Sequence, residues 1–74
     1  MNTAETPIRL YYKSELALLY DPEGEPATAM HKLRRMMIAD PELMRLLKET
    51  GYQPRNRYLT PKQVELLFEH LGRP

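Results

Sequence analysis

The spacing of apolar and polar positions changes several times along the chain. Residues 8–12, Ile-Arg-Leu-Tyr-Tyr, alternate apolar and polar at their start and are rich in β-formers, which predicts a short strand. Glu15-Leu16-Ala17-Leu18-Leu19-Tyr20 is apolar almost all round, so a short buried helix is expected there, capped by Ser14. The turn-rich DPEGEP breaks it. Pro26 suits the first position of a second helix over 26–39. Its apolar face is Met30, Leu33 and Met37, flanked by Ala29 and Met36. At ~100° per residue, Thr28, His31, Lys32 and Arg35 gather opposite. Asp40-Pro41 reads as the cap and first turn of a third helix, with Leu43, Leu46 and Leu47 inward and Gly51 at its left-handed end. Tyr52-Gln53 and Arg57-Tyr58-Leu59 read as two very short strands around a PRN turn. Thr60-Pro61-Lys62-Gln63 is a capping box. Val64, Leu67, Phe68 and Leu71 form the inner face of the last helix, Gly72 stops it, and Leu66 falls on its polar side.

These elements predict a mostly α (α+β) fold: four short helices with a minor two- or three-stranded β element, winged helix-turn-helix-like. Pairing IRLYY with RYLT would make the sheet. Residues 1–7 are expected to be a disordered polar end and residues 8–74 a single small winged-helix-like domain. At 74 residues the chain can bury a little over ~60 % of the surface its unfolded form exposes, so its stability margin is thin.

Composition narrows the chemistry. There is no cysteine, hence no disulfide and no thiolate metal site. His31 and His70 are far apart in sequence, and neither belongs to a metal-ligand pattern. No Ser/His/Asp set, Gly-rich phosphate loop or clustered carboxylate–histidine constellation is present. An enzyme, a cofactor and a small-molecule substrate are therefore not expected. MNTAETPIR holds no apolar run, so neither a signal peptide nor a membrane partner is expected, and the default location is cytoplasmic.

The formal net charge is +1, from eleven Lys and Arg against ten Asp and Glu, but the charges are segregated. Residues 26–39 carry Lys32, Arg34 and Arg35 and no acid; residues 50–64 carry Arg55, Arg57 and Lys62 and no acid. A helix with cations outward, preceded by a short helix and a turn, has the layout of a helix-turn-helix recognition element. On that reading Thr28, His31, Lys32 and Arg35 face duplex DNA. Arg55, Asn56 and Arg57 form the tip of a wing along its backbone or minor groove. The structural alternatives are a solvated helix face and a surface hairpin whose arginines pair with Glu25, Asp40 or Glu42.

YYKSELALLY, PATAMHKLRRMMIADPELMRLLKETGYQPRNR and YLTPKQVELLFEHLG together resemble an uncharacterised family of small proteins from gut Bacteroidetes, a domain of unknown function. Ser14-Glu15-Leu16-Ala17 is also similar to the helix that follows the first strand in excisionase and MerR-type winged helix-turn-helix proteins. That second likeness implies a recognition helix at 26–37, a wing at 52–58 and a closing helix at 60–71. The chain departs from it in carrying Tyr12 where a Ser or Thr is usual, and in the extra DPELMRLLKETG helix before the wing. The resulting expectation is a DNA-binding accessory or transcription-regulating protein, functional as a homodimer through Leu66 and Met44 or with a protein partner. The rival is a non-enzymatic interaction module binding an acidic partner.

Overall fold

A computed structural model describes residues 6–74. Among these the chain forms β1 (Tyr11–Tyr12), α1 (Lys13–Tyr20), α2 (Pro26–Ile38), α3 (Pro41–Glu49), β2 (Tyr58–Leu59) and α4 (Pro61–Leu71), in that order. The architecture is mostly helical α+β, as expected. Its sheet has two strands: β1 and β2 pair antiparallel, with Tyr11 opposite Leu59 and Tyr12 opposite Tyr58.

The strand expected over 8–12 shortens to its last two residues. β2 offers only Tyr58 and Leu59 before Thr60 caps α4 and Pro61, which has no N–H, opens it. Ile8 and Leu10, left without a strand partner, are exposed. Of the end expected to be disordered, residues 1–5 lie outside the described residues. Thr6 and Pro7 are held through their carbonyls, which accept from Arg73 Nη1 and the Tyr11 hydroxyl, each at 2.8 Å.

α1 begins at Lys13, not behind a Ser14 cap. Tyr12 is its N-cap residue and contributes no side-chain capping bond. The Lys13 N–H instead donates to the Arg57 carbonyl at 2.8 Å. A strand-type bond thus satisfies one of the donors that a helix start leaves open.

The core is one cluster drawn from every element. Leu16 and Ala17 of α1 are fully buried, and α2 contributes Ala29, Leu33 and Met37. Met30 and Met36, on the two flanks of that face, stay 38 % and 36 % exposed. α3 starts where expected: Asp40 Oδ1 accepts from the Leu43 N–H at 3.0 Å. The Leu43 amide, with His70 beyond it, holds the Asp40 carboxyl below its ordinary range. The far end of α3 is a Schellman motif. Gly51 takes φ +88°, its N–H donates to the Lys48 carbonyl, and the Tyr52 N–H donates to the Leu47 carbonyl.

α4 opens on the expected capping box. Thr60 Oγ1 accepts from the Gln63 N–H at 3.3 Å and Gln63 Oε1 accepts from the Thr60 N–H at 3.0 Å. Gln63 Nε2 also donates to Thr50 Oγ1 at 2.9 Å, tying the start of α4 to the end of α3. Gln63 is therefore buried with its polar atoms engaged. The placement of Leu66 on an exposed polar side is corrected: it is 7 % exposed. α4 packs against α2, α3 and β2. Its buried residues span an arc of about 200° at ~100° per residue, from Leu66 at one edge through Gln63, Leu67 and Val64 to Phe68 at the other. Leu66 is thus unavailable for the dimer contact proposed for it. Met44 is half-buried against the core.

Candidate functional site

The hairpin expected across 52–59 does not form. The Tyr52 N–H is consumed in closing α3, its side chain is buried, and Tyr58–Leu59 pairs with β1 instead. What lies between is a tight turn. The Asn56 N–H donates to the Gln53 carbonyl at 3.0 Å, and Asn56 Oδ1 accepts from the Gln53 N–H at 3.1 Å. Asn56, expected as a DNA contact, therefore uses its side-chain oxygen to close the turn. Arg55 projects from it, with Nε donating to Gln53 Oε1 at 2.9 Å. Arg57 is exposed, and its backbone carbonyl accepts from the Lys13 N–H at 2.8 Å.

Lys13 fixes the position of this turn. Its Nζ donates to the Pro54 carbonyl at 2.7 Å and lies 4.6 Å from the centre of the Tyr52 ring. α1 thereby holds the loop against α2. Pro54 and Met30 line both a groove of about 370 Å³ between α2 and the loop and a second depression bordered by Tyr12, Arg55 and Arg57. The extra helix α3 does not carry the loop away from α2. Its Schellman end delivers Tyr52 straight to the groove beside Leu33 and Met37.

On α2, Thr28, His31, Lys32 and Arg35 are all exposed, as expected. They do not act as one face. Lys32 leans toward α1 and lies 3.1 Å from Asp21 Oδ2. That oxygen is buried and has no well-aligned hydrogen bond, so the ammonium supplies its charge compensation. Gly24 allows this seat, since a Cβ there would lie 2.3 Å from Asp21 Oδ2. His31 turns the other way and lines the groove with Arg34. Thr28 and Arg35 point straight outward, away from the core, by the ~100° rule.

The loop arginines do not pair with the carboxylates suggested for them. Asp40 lies against His70 Nδ1 at 3.1 Å, and Glu42 pairs with Arg45 at 2.7 Å. Lys62 lies 3.6 Å from Glu65. Among the described residues, Arg34, Arg35, Arg55 and Arg57 have no carboxylate within ion-pair distance. No three His, Asp or Glu side chains among them converge as metal ligands, and no helix among them is long and apolar enough to cross a membrane.

Two residues that matter were missed in the sequence. Arg34 was passed over because the apolar face was centred on Met30 and Met37. Centred on Leu33, the wheel puts Arg34 on the flank beside Met30. Lys13 had no local signal, because its partners are 39 and more residues away, at Tyr52 and Pro54.

The two exposed cations of α2 should separate in a melt. Lys32→Ala is expected to cost about 1 kcal/mol, because it strips the counter-charge from a partly buried carboxylate. Arg35→Ala should stay within about 0.5 kcal/mol of the parent. In a domain of this size that is a Tm difference of roughly 2–8 °C, readable by circular dichroism. Equal melts would show that the Asp21 pair contributes nothing.

Residues 7–74 match the model of a protein family described as a domain of unknown function, DUF4248. No curated protein and no solved structure matches the chain. With nearly its whole length inside that match, the protein belongs to the DUF4248 family.

Proposed function

We propose that this is a small DNA-binding accessory or regulatory protein of the helix-turn-helix type, acting without catalysis. The observation that carries the reading is the common side taken by two sets of uncompensated cations. Arg34 lines the groove between α2 and the loop, Arg55 and Arg57 line the adjoining depression that shares Met30 and Pro54 with it, and Arg35 stands next to Arg34 on the outward side of α2; no carboxylate lines either hollow. Such a surface suits a phosphate backbone, whose contacts supply most of the affinity and fix the register. Thr28 and Arg35, with His31 beside them, stand on the outward stripe of α2 that would enter the major groove. The exposed Tyr12, beside Arg57, adds an aromatic surface at the edge. The order of α1, turn and α2 and the likeness of Ser14–Ala17 to excisionase and MerR-type proteins point the same way. The role belongs in the cytoplasm, in cells such as the gut Bacteroidetes whose small proteins the chain resembles. A second copy or a protein partner would extend the short contact surface, through residues other than Leu66.

The test pairs two titrations for each variant, against a selected duplex and against random duplex. Arg35→Ala is expected to lose about 1–3 kcal/mol on the selected site and less on random DNA, as a base-reading residue does. Arg55→Ala should weaken both alike. Identical profiles for the two variants would remove base reading from α2.

A further inference from the structure

We infer that the groove between α2 and the loop is a docking site for a protein partner: an acidic amphipathic segment carrying a bulky apolar anchor. The inference stands on the groove's floor and does not need the DNA reading. Met30, Met37 and Met44 meet there with Tyr52. Thioethers are polarisable and adaptable, and they fill irregular contacts with an inserted side chain well. Ile38, also in the lining, is 55 % exposed and Met30 38 % exposed, so the groove's apolar wall on α2 reaches the solvent-facing surface. At about 370 Å³ the groove admits one or two large side chains. A sugar–phosphate backbone offers no bulky apolar side group to fill it.

The rim sets the charge of the occupant. Lys13, His31 and Arg34 line the groove and no Asp or Glu does. Lys13 is held by the Pro54 carbonyl and the Tyr52 ring, which leaves Arg34 as the free charge at the edge. An apolar floor under a cationic rim complements an amphipathic segment with Leu, Phe or Trp on one face and Asp or Glu beside it. Arg35, one residue along α2, lies outside the groove and makes a matched control for charge.

The experiment selects a displayed random-peptide library on the full chain, then titrates the strongest synthetic peptide by fluorescence anisotropy. Methionine-methyl NMR follows the same titration. Enriched peptides should combine acidic residues with a large apolar one. The methyls of Met30, Met37 and Met44 should shift, while Met36, on the opposite flank of α2, should not. Ile38→Asp should weaken binding about tenfold or more, as loss of an anchor contact does. Arg34→Glu should weaken it about tenfold and Arg35→Glu hardly at all. Both reversals leave exposed positions exposed, so the fold should survive them. Failure to enrich any peptide would overturn the proposal, as would enriched peptides without acids or shifts centred on Met36. Duplex DNA moving the three groove methyls where no peptide does would overturn it in favour of nucleic acid.

Discussion

Leu66→Asp should leave the chain largely unfolded at room temperature, while Met36→Asp should melt close to the parent. By local pattern Leu66 sits between Glu65, Glu69 and His70 and invites a polar substitution. In the fold it is 7 % exposed, whereas Met36 is 36 % exposed. Truncating a buried leucine already costs about 2–5 kcal/mol. A carboxylate placed there adds the cost of burying a charge with no partner, or of protonating it. Domains in general have about 5–15 kcal/mol of stability, and one of this size sits near the bottom of that range. The two penalties together consume most or all of it. Circular dichroism melts of both variants read the result. A folded Leu66→Asp with parent-like melting would mean that α4 buries a narrower face than described and that its packing on α3 is wrong.

The largest functional effect is expected from removing both loop arginines. Arg55→Ala with Arg57→Ala takes away two arginines that, like Arg34 and Arg35, have no carboxylate within ion-pair distance among the described residues. Each phosphate contact contributes about −0.9 to the slope of log K against log salt. The double variant should therefore lose about two units of slope and bind duplex DNA about ten- to a hundredfold more weakly at low salt. Selected and random duplexes should suffer alike, because the turn carries its charge to the backbone. The melt should not move, since Lys13 holds the turn through the Pro54 and Arg57 backbone carbonyls and not through either arginine side chain. Unchanged affinity with an unchanged melt would detach the loop from DNA and leave its cations to a protein partner.

What could be read in the sequence was mostly what is decided within a few residues. The Asp40 cap, the Thr60–Gln63 box and the positive-φ Gly51 and Gly72 have their hydrogen-bond partners close by in the chain, and each stands where expected. The pairing of IRLYY with RYLT was legible for another reason: both are short β-rich runs that lead directly into helices, and they meet at Tyr11 and Leu59. The misreadings all depend on distant neighbours. Leu66 is buried because α4 has neighbours on several sides, which a single helical wheel does not reveal. Ser14 was displaced as a cap because Arg57 reaches the start of α1. The hairpin failed because Tyr52 was already committed to ending α3 and to the core. The candidate site suffered in the same way: Lys32 was separated from Arg35 by an aspartate in the preceding turn, and Arg34 entered the surface only once the loop was seen beside it.

The most direct measurement of the central claim is a titration of fluorescent random duplex DNA with the full chain across a series of salt concentrations. The account predicts weak binding at low salt, with log K falling against log salt at a slope of about −3 to −4, as four phosphate contacts require. No binding at tens of micromolar protein in the lowest salt, or a slope near zero, would contradict it.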